Sequence, residues 1–258
     1  MKSLLLKDKV IFLTGGSGGI GWDCAQAYAA EGAKVVIAAH NGDAVIKAAA
    51  TLGAEHLGVV CDVSRDAEVG AAVKQTLARY GKLDVVHNNA GIGTPAKPIH
   101  TTTDEEWDAL FNVNLKSILH TTRHAFDALV ASKGCILNTS SLVGVIGQEI
   151  HAAYTATKGG MNALTKSMAL DYTKYGIRVN AVCPAGAWTP MLRQWCAEQP
   201  NPDSTERYLN EIHPLGYCPE GDAIADACIF LISSQARFIT GHLMHVSGGA
   251  ELGYRRVL

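Results

Sequence analysis

The chain has 258 residues, 48% of them hydrophobic, which is enough to bury a large core, and we expect one domain over residues 1–258. Its 22 basic and 24 acidic residues give a formal charge of −2 without long runs of one sign, so nucleic acid and anionic membranes are not expected partners. The apolar run at 4–6 is too short for a secretory leader, and no stretch reaches the ~18 apolar residues of a membrane span. We therefore expect a cytoplasmic protein that acts on a small molecule.

Short apolar runs alternate along the chain with longer stretches of helical periodicity. The predicted strands are 10–13, 35–38, 57–60, 85–87, 135–138, 179–182 and 243–246, and the predicted helices are about 19–31, 65–79, 104–130, 152–175 and 220–232. Nearly continuous apolar strands separated by helices are typical of a parallel sheet covered on both faces. The sequence thus predicts an α/β fold, a doubly wound, Rossmann-like parallel sheet whose ligands bind beyond the carboxyl ends of the strands.

A glycine-rich turn, Thr14–Gly21, joins the first strand to the first helix. Glycines at such a turn let a pyrophosphate approach the free N–H groups of a helix N-terminus. Two registers fit a dinucleotide site equally well, one with glycines at 16, 18 and 21 and the other with glycines at 15, 19 and 21. We predict that a dinucleotide binds at this turn. The expected contacts are Gly15, Ser17, Gly19, Ile20 and Gly21.

The second strand ends in Ala39-His40-Asn41, where the dinucleotide fingerprint normally has an acidic residue that holds the ribose hydroxyls of NAD. An acid at this position would repel the 2′-phosphate of NADP, so the alanine slightly favours NADP over NAD. His40 either contacts that phosphate or is an ordinary exposed loop histidine, and both interpretations stay open. The predicted cofactor is therefore NAD or NADP.

Seven cysteines are scattered along the chain, and none forms a Cys-x-x-Cys pair. This pattern argues against a disulfide framework and against a zinc site. We expect reduced, packed thiols and no bound metal.

Tyr154 and Lys158 place a phenol and an ammonium group four residues apart in a predicted helix, and hence on one face. A free tyrosine has a pKa of about 10, and a nearby cation that stabilises the phenolate makes it a better base near neutral pH. On its own, such a pair is usually an amphipathic surface pair. The polar segments Asn88–Gly91 and Thr139–Ser141 each follow a predicted strand, and Asn114 lies in the helix predicted at 104–130. We therefore expect all of them at the edge of the sheet where the ligand binds.

With these motifs taken together, the chain resembles the short-chain dehydrogenase/reductase family over essentially its full length. The matching residues are Thr14-Gly15-x-x-x-Gly19-x-Gly21, Asp62-Val63, Asn88-Asn89-Ala90-Gly91, Asn114, Ser141, Tyr154-x-x-x-Lys158, Arg178 to Pro184 with Thr189, and Val246 to Gly249. The resemblance implies that the Tyr154 phenol exchanges a proton with the substrate oxygen while Ser141 orients that oxygen. Lys158 would lower the pKa of Tyr154 and bind the nicotinamide ribose, and Asn114 would hold a water in a proton relay.

The resemblance also implies cofactor contacts in the later loops. Asp62 and Val63 would flank the adenine, and 89–91 would line the cofactor cleft through Asn89, Ala90 and Gly91. Pro184, Ala187 and Thr189 would seat the nicotinamide carboxamide. A homotetramer is the implied assembly. Three positions depart from the pattern: Ala39 replaces the acid, Ala185 stands where glycine is frequent, and Tyr217 stands where many members have arginine.

We expect the substrate pocket to lie between the residues after Ser141, those before Tyr154, and a Pro- and Trp-rich segment at 188–214 that is expected to be a mobile lid. The candidates for its walls are Val143, Gln148, His151, Trp188 and Trp195. The C-terminal stretch 248–254 is similar to the ending of a branch of the family that includes hydroxysteroid and L-fucose-type sugar dehydrogenases.

The predicted reaction is hydride transfer between a secondary alcohol or sugar lactol and its carbonyl or lactone, with Tyr154 as general acid/base. Two alternatives stay open. One is a reductase of hydroxysteroids or general ketones, and the other is a regulatory protein that binds the cofactor without catalysis.

Overall fold

The computed structural model describes residues 4–253 and contains one parallel sheet with the strand order β3-β2-β1-β4-β5-β6-β7. The strands are β1 Val10–Thr14, β2 Lys34–Ala39, β3 Leu57–Val60, β4 Val85–Asn88, β5 Cys135–Thr139, β6 Arg178–Pro184 and β7 Leu243–Val246. Each predicted strand is present, with its ends shifted by two residues at most. The predicted doubly wound sheet is therefore confirmed.

Helices cover both faces of this sheet. They are α1 Gly19–Ala30, α2 Gly42–Leu52, α3 Asp66–Tyr80, α4 Asp104–Phe111, α5 Ser117–Ser132, α6 Ala152–Tyr172, α7 Pro190–Ala197, α8 Pro202–Glu211 and α9 Gly221–Ile232. Among the described helices, none combines the length and the hydropathy that a membrane crossing requires. All seven cysteines are free and buried, as the sequence predicts.

The helix expected at 104–130 proves to be two helices. Between α4 and α5, the five residues Asn112–Lys116 form a π-helical segment that contains Asn114. The helix expected at 152–175 ends at Tyr172 and continues as a short 3-10 turn to Tyr175. The sequence prediction of a helix was correct in both places, whereas its prediction of one regular α-helix across 104–130 was wrong.

The core consists of two apolar layers, one on each face of the sheet. Along β1, the side chains of Ile11 and Leu13 join the layer beneath α1 and α9. Val10 and Phe12 point to the opposite layer, beneath α3 and α5. All four are fully buried, since a central strand of a doubly wound sheet has no solvent-facing side.

A buried polar network connects the central strands to the helices behind them. Asn88 donates to the side-chain oxygen of Asn138 over 2.9 Å, and Asn138 donates to the hydroxyl of Thr165 in α6 over 2.9 Å. The hydroxyl of Thr121 in α5 donates to Asn88 over 2.7 Å. Because all four side chains are buried and bonded, the network fixes the carboxyl ends of β4 and β5 relative to α5 and α6.

Candidate active site

The glycine-rich turn after β1 puts different demands on its glycines. Gly15 and Gly19 have φ values of +66° and +53°, which strongly favour glycine. A Cβ at Gly21 would lie 2.2 Å from the carbonyl oxygen of Gly15. By contrast, Gly18 has an extended backbone and nothing lies within 4 Å of its Cβ position. Glycine is thus required at positions 15, 19 and 21, and this favours the second of the two registers.

The same turn leaves room and hydrogen-bond donors for an anion. Gly18 caps the N-terminus of α1 and offers no side-chain acceptor to the N–H groups of the first turn. These N–H groups carry the positive end of the helix dipole, and the empty Cβ position of Gly18 opens onto them. The geometry fits a dinucleotide pyrophosphate, with the partly buried Ser17 and Ile20 beside it.

Thr14, the last residue of β1, fastens the loop after β4 to this turn. Its hydroxyl oxygen accepts hydrogen bonds from the backbone N–H groups of Asn89 (2.9 Å) and Ala90 (3.0 Å). The Asn89 side chain donates to the backbone carbonyl of Thr14 over 3.1 Å. The structure therefore brings Asn89, Ala90 and Gly91 to the glycine-rich turn, and Thr14, which the sequence indicated only as part of the glycine motif, is the residue that holds them there.

The Asn114 side chain is fully buried and uses both of its polar atoms within the protein. Its oxygen accepts from the backbone N–H of Ile92 over 2.8 Å, and its nitrogen donates to the Ile92 carbonyl over 2.9 Å. The nitrogen also donates to the hydroxyl of Thr157 in α6 over 3.1 Å. Asn114 therefore connects the loop after β4, here called the cofactor-side loop, to α6, the helix that carries Tyr154 and Lys158.

Lys158 is only 4% exposed, and its ammonium group donates to the carbonyl oxygen of Thr139 over 2.7 Å. Burial lowers the pKa of Lys158 to about 8. The ammonium nitrogen lies 5.6 Å from the centroid of the Tyr154 ring, as expected for a pair one helical turn apart. The Thr139 side chain is hydrogen-bonded to the buried His87, whose Nε2 lies 2.8 Å from the Thr139 hydroxyl.

Tyr154 and Ser141 form a hydrogen-bonded pair at the ends of α6 and β5, and this hydrogen bond lowers the pKa of Tyr154. Burial acts more strongly in the opposite direction, so the pKa of Tyr154 is above its usual value. The Ser141 hydroxyl also accepts from the backbone N–H of Val143 over 3.3 Å. The expectation that Lys158 lowers the pKa of Tyr154 is not met in this arrangement, because the ammonium group is directed to the Thr139 carbonyl.

The shifted pKa of Lys158 predicts a pH-dependent stability. An unfolded lysine has a pKa of about 10.4, so between about pH 8 and pH 10.4 the unfolded chain holds a proton that the folded chain has released. The contribution of Lys158 to the free energy of unfolding therefore rises with pH across that window. Relative to Lys158→Met, the wild type should gain about 3 kcal/mol there in urea unfolding. A difference between the two proteins that stays constant from pH 8 to pH 10 would contradict this assignment.

The remaining cofactor-side residues lie around the same edge. The Asp62 carboxylate accepts from the Ser64 N–H (2.9 Å) and hydroxyl (2.7 Å), and these bonds, with Arg65, hold its pKa below the usual value despite its partial burial. Val63 is buried beside it, and Pro184 and Ala187 are buried at the end of β6. Thr189 caps α7, and its methyl carbon would lie 3.5 Å from a Cβ at Gly19, so the start of α7 contacts the glycine-rich turn.

His40 is exposed immediately after β2. Thr14 pairs with Ala38 in the sheet, and the N–H of Gly15 donates to the Ala38 carbonyl over 2.7 Å. Residues 39 and 40 therefore continue from a strand that is hydrogen-bonded to the glycine-rich turn. This position suits a contact with the ribose side of a dinucleotide.

The predicted substrate residues differ in how close they come to Tyr154. The His151 ring lies 6.4 Å from the Tyr154 ring, and Val143 follows Ser141 in a short 3-10 turn. Gln148 is exposed on the loop between these elements. Trp188 forms an isolated bridge to Glu220 with the Arg193 guanidinium 5.1 Å from its ring, and Trp195 is 46% exposed on α7.

Comparisons with known proteins give consistent matches. The family described as enoyl-(acyl carrier protein) reductase matches residues 15–251. L-fucose dehydrogenase of Bos taurus is 39% identical over 248 residues, which cover 96% of this chain and 91% of the relative. The solved structure of aldohexose dehydrogenase from Thermoplasma acidophilum has a TM-score of 0.90 at 30% identity, covering 100% of this chain and 99% of that one. A 3-ketoacyl-(acyl-carrier-protein) reductase from Brucella melitensis, complexed with NADH, has a TM-score of 0.87 at 32% identity, covering 95% and 98%.

Proposed function

Because the chain belongs to the short-chain dehydrogenase/reductase family, and is thus an NAD(P)-dependent oxidoreductase acting on CH–OH groups, we propose that its substrate is a sugar or polyol. It would interconvert a sugar lactol or secondary alcohol and the corresponding lactone or carbonyl. Two similar proteins, an L-fucose dehydrogenase and an aldohexose dehydrogenase, support a sugar as the substrate. The observation that carries the reaction in this proposal is the Ser141–Tyr154 hydrogen bond beside the buried Lys158, an arrangement that can exchange a proton with a substrate hydroxyl.

Tyr154 acts as general acid/base in this proposal. Bound NAD(P) supplies the hydride donor or acceptor. During oxidation the Tyr154 oxygen takes the proton from the substrate hydroxyl, and during reduction it returns a proton to the carbonyl oxygen. Ser141 donates a second hydrogen bond to that oxygen and fixes its position. Lys158, whose ammonium group is held by the Thr139 carbonyl, is placed to hold the nicotinamide ribose.

The cofactor-binding roles follow from the same arrangement. We assign the pyrophosphate to Gly15, Ser17, Gly19, Ile20 and Gly21, and the adenine to the loop of Asp62 and Val63. Asn89, Ala90 and Gly91 line the cleft, while Pro184, Ala187 and Thr189 seat the carboxamide. Since the Asn114 side chain is fully engaged, a relay water at this residue would bind its backbone carbonyl.

NADP is the cofactor we favour, because Ala39 removes the acid that would repel a 2′-phosphate and His40 is exposed beside it. His40→Asp should lower kcat/KM with NADP by about tenfold while changing the value with NAD little, since a carboxylate repels the phosphate. Parallel titrations of NAD and NADP measure both values. Equal losses with the two cofactors would show that residue 40 does not lie at the 2′-position.

The chain as a whole is proposed to be one catalytic domain, with 188–214 as a lid over the substrate. This segment contains α7 and α8, so the lid would move as helices joined by short loops rather than as an extended strand. Family membership further supports a cytoplasmic homotetramer. Light scattering at micromolar concentration tests the assembly, and a monomer would contradict it.

The substrate proposal is tested by assaying aldoses, polyols, hydroxysteroids and simple ketones with NAD(P) or NAD(P)H at 340 nm. We expect turnover of at least one aldose or polyol. Activity confined to hydrophobic ketones and steroids would overturn the sugar proposal. Binding of NAD(P) without turnover of any alcohol or carbonyl would overturn the enzymatic one.

A further inference from the structure

The turn that enters α6 contains a backbone conformation that β-branched residues rarely adopt. Ile150 has a φ of +54°, and it lies in a turn closed by the N–H of His151 donating to the Gln148 carbonyl over 3.4 Å. Glycine or asparagine normally occupies such a position. Strained backbone of this kind is concentrated at functional sites, where the surrounding structure holds it in place. Ile150 immediately precedes His151, and α6 begins directly after His151.

This turn fixes the His151 ring and its hydrogen-bonding pattern. Nδ1 lies 2.8 Å from the carbonyl oxygen of Glu149, and a carbonyl oxygen can only accept, so Nδ1 carries the proton. In the neutral imidazole, Nε2 is then an acceptor with a free lone pair. Within residues 4–253, this nitrogen has no hydrogen-bond partner.

The fixed ring lies beside the reacting group. The His151 and Tyr154 rings are 6.4 Å apart and meet edge to face at 73°. His151 is the N-cap residue of α6 and Tyr154 lies in the first turn of that helix, where the Tyr154 hydroxyl is bonded to Ser141. A substrate oxygen held by Tyr154 and Ser141 would therefore place its neighbouring carbon atoms near His151.

We propose that His151 is a specificity-determining residue that selects substrates with a hydroxyl group on the carbon adjacent to the reacting carbon. That hydroxyl donates a hydrogen bond to Nε2 while the reacting oxygen is bound by Tyr154 and Ser141. The inference rests on the proposed function and narrows its substrate class to 1,2-diols and aldoses with a free 2-hydroxyl. A substrate without this hydroxyl forgoes the hydrogen bond to Nε2, which disfavours its binding in the transition state relative to the hydroxylated substrate.

Other predicted pocket residues do not offer the same contact. Val143 is apolar, and Gln148 is an exposed side chain on the loop between the 3-10 turn and α6. Glu149 contributes its backbone carbonyl to His151. His151 is thus the pocket residue whose acceptor atom is oriented by the backbone before substrate binds.

The experiment compares an aldose that the enzyme oxidises with its 2-deoxy counterpart, in wild type, His151→Phe and His151→Gln. Wild type should favour the 2-hydroxylated sugar by roughly 10- to 100-fold in kcat/KM. In His151→Phe, which keeps a ring but has no acceptor, this ratio should fall to near one, mainly through loss of activity on the 2-hydroxylated sugar. His151→Gln retains an acceptor oxygen and should recover part of the preference. His100→Phe, at an exposed histidine, is the matched control and should keep the wild-type ratio.

The outcomes separate this inference from the function on which it rests. Oxidation of aldoses with the same preference in wild type and His151→Phe would overturn the role of His151 and leave the sugar proposal intact. Equal losses on both sugars in both His151 variants would mean a structural role and would also overturn the inference. Failure of the wild type to oxidise any aldose or polyol would overturn the proposed function and the inference together.

Discussion

Tyr154→Phe is expected to lower kcat/KM by about 100- to 10,000-fold in both reaction directions, because a general acid/base contributes a factor of this size. The variant keeps the ring that meets His151 and loses the hydroxyl that bonds to Ser141. Steady-state kinetics at 340 nm measures the loss. The effect should be mainly on kcat, since the proton is transferred in the transition state.

Two measurements distinguish loss of the proton donor from damage to the fold. NAD(P)H affinity, followed by its fluorescence, and thermal stability should both stay close to the wild-type values in Tyr154→Phe. Tyr175→Phe, at a 36% exposed tyrosine of the 3-10 turn after α6, is the matched control for removing a phenol hydroxyl. Retention of more than a tenth of the wild-type kcat in Tyr154→Phe would exclude the assigned role.

Gly21→Ala is expected to abolish cofactor binding and to destabilise the fold. The new Cβ would lie 2.2 Å from the carbonyl oxygen of Gly15 in the turn. It would also lie 2.5 Å from the side-chain nitrogen of Asn89, which is hydrogen-bonded to the turn. The turn must therefore open, at a cost of about 1–3 kcal/mol typical of overpacking. Urea unfolding and NADH fluorescence titration measure the two effects.

Gly18→Ala is the matched variant for this comparison. Position 18 has an extended backbone and an open Cβ position, so the protein should keep its stability. The added methyl group projects into the space assigned to the pyrophosphate and should weaken NAD(P) binding without unfolding. If Gly18→Ala and Gly21→Ala were equally destabilising, the distinction between a packing glycine and a ligand-facing glycine would be wrong.

The alternation of strands and helices was readable from the sequence because the strands are nearly continuous apolar runs, such as Val35–Ala38 in β2. The family resemblance identified the same fold and enzyme class that the comparisons support. Spacing alone left two registers of the glycine-rich turn. The φ values at Gly15 and Gly19 distinguish them, and a pattern of glycines does not reveal which members adopt φ > 0.

Several elements escaped prediction for identifiable reasons. The helix α2 is short and rich in alanine, yet Val45, Ala48, Ala49 and Leu52 have the 3- and 4-residue spacing that could have indicated it. Asn41 caps it by accepting from the Ala44 N–H over 3.1 Å.

The polar contacts that complete the site were harder to foresee. Thr14 and Thr139 end strands β1 and β5, and a hydroxyl residue at a strand end was the available signal. Their bonds to Asn89 and His87 join parts of the chain 75 and 52 residues apart, and no local pattern encodes such pairing. The direction of the Tyr154 pKa likewise depends on burial by the whole fold, which outweighs its local hydrogen bond.

The π-helical segment Asn112–Lys116 has a consequence for how this chain tolerates changes in length. A π-helical turn holds one residue more than an α-helical turn, so it amounts to a one-residue insertion between α4 and α5. Deleting one residue there would replace the π-helical segment with regular α-helix, which shifts the residues inside the segment while α4 and α5 keep their orientation. Asn114 would then be turned away from Ile92 and Thr157 while the sheet-facing side of α5 stayed intact. A single-residue gap at this point among related sequences would thus mark chains that keep the fold but lose the link between the cofactor-side loop and α6.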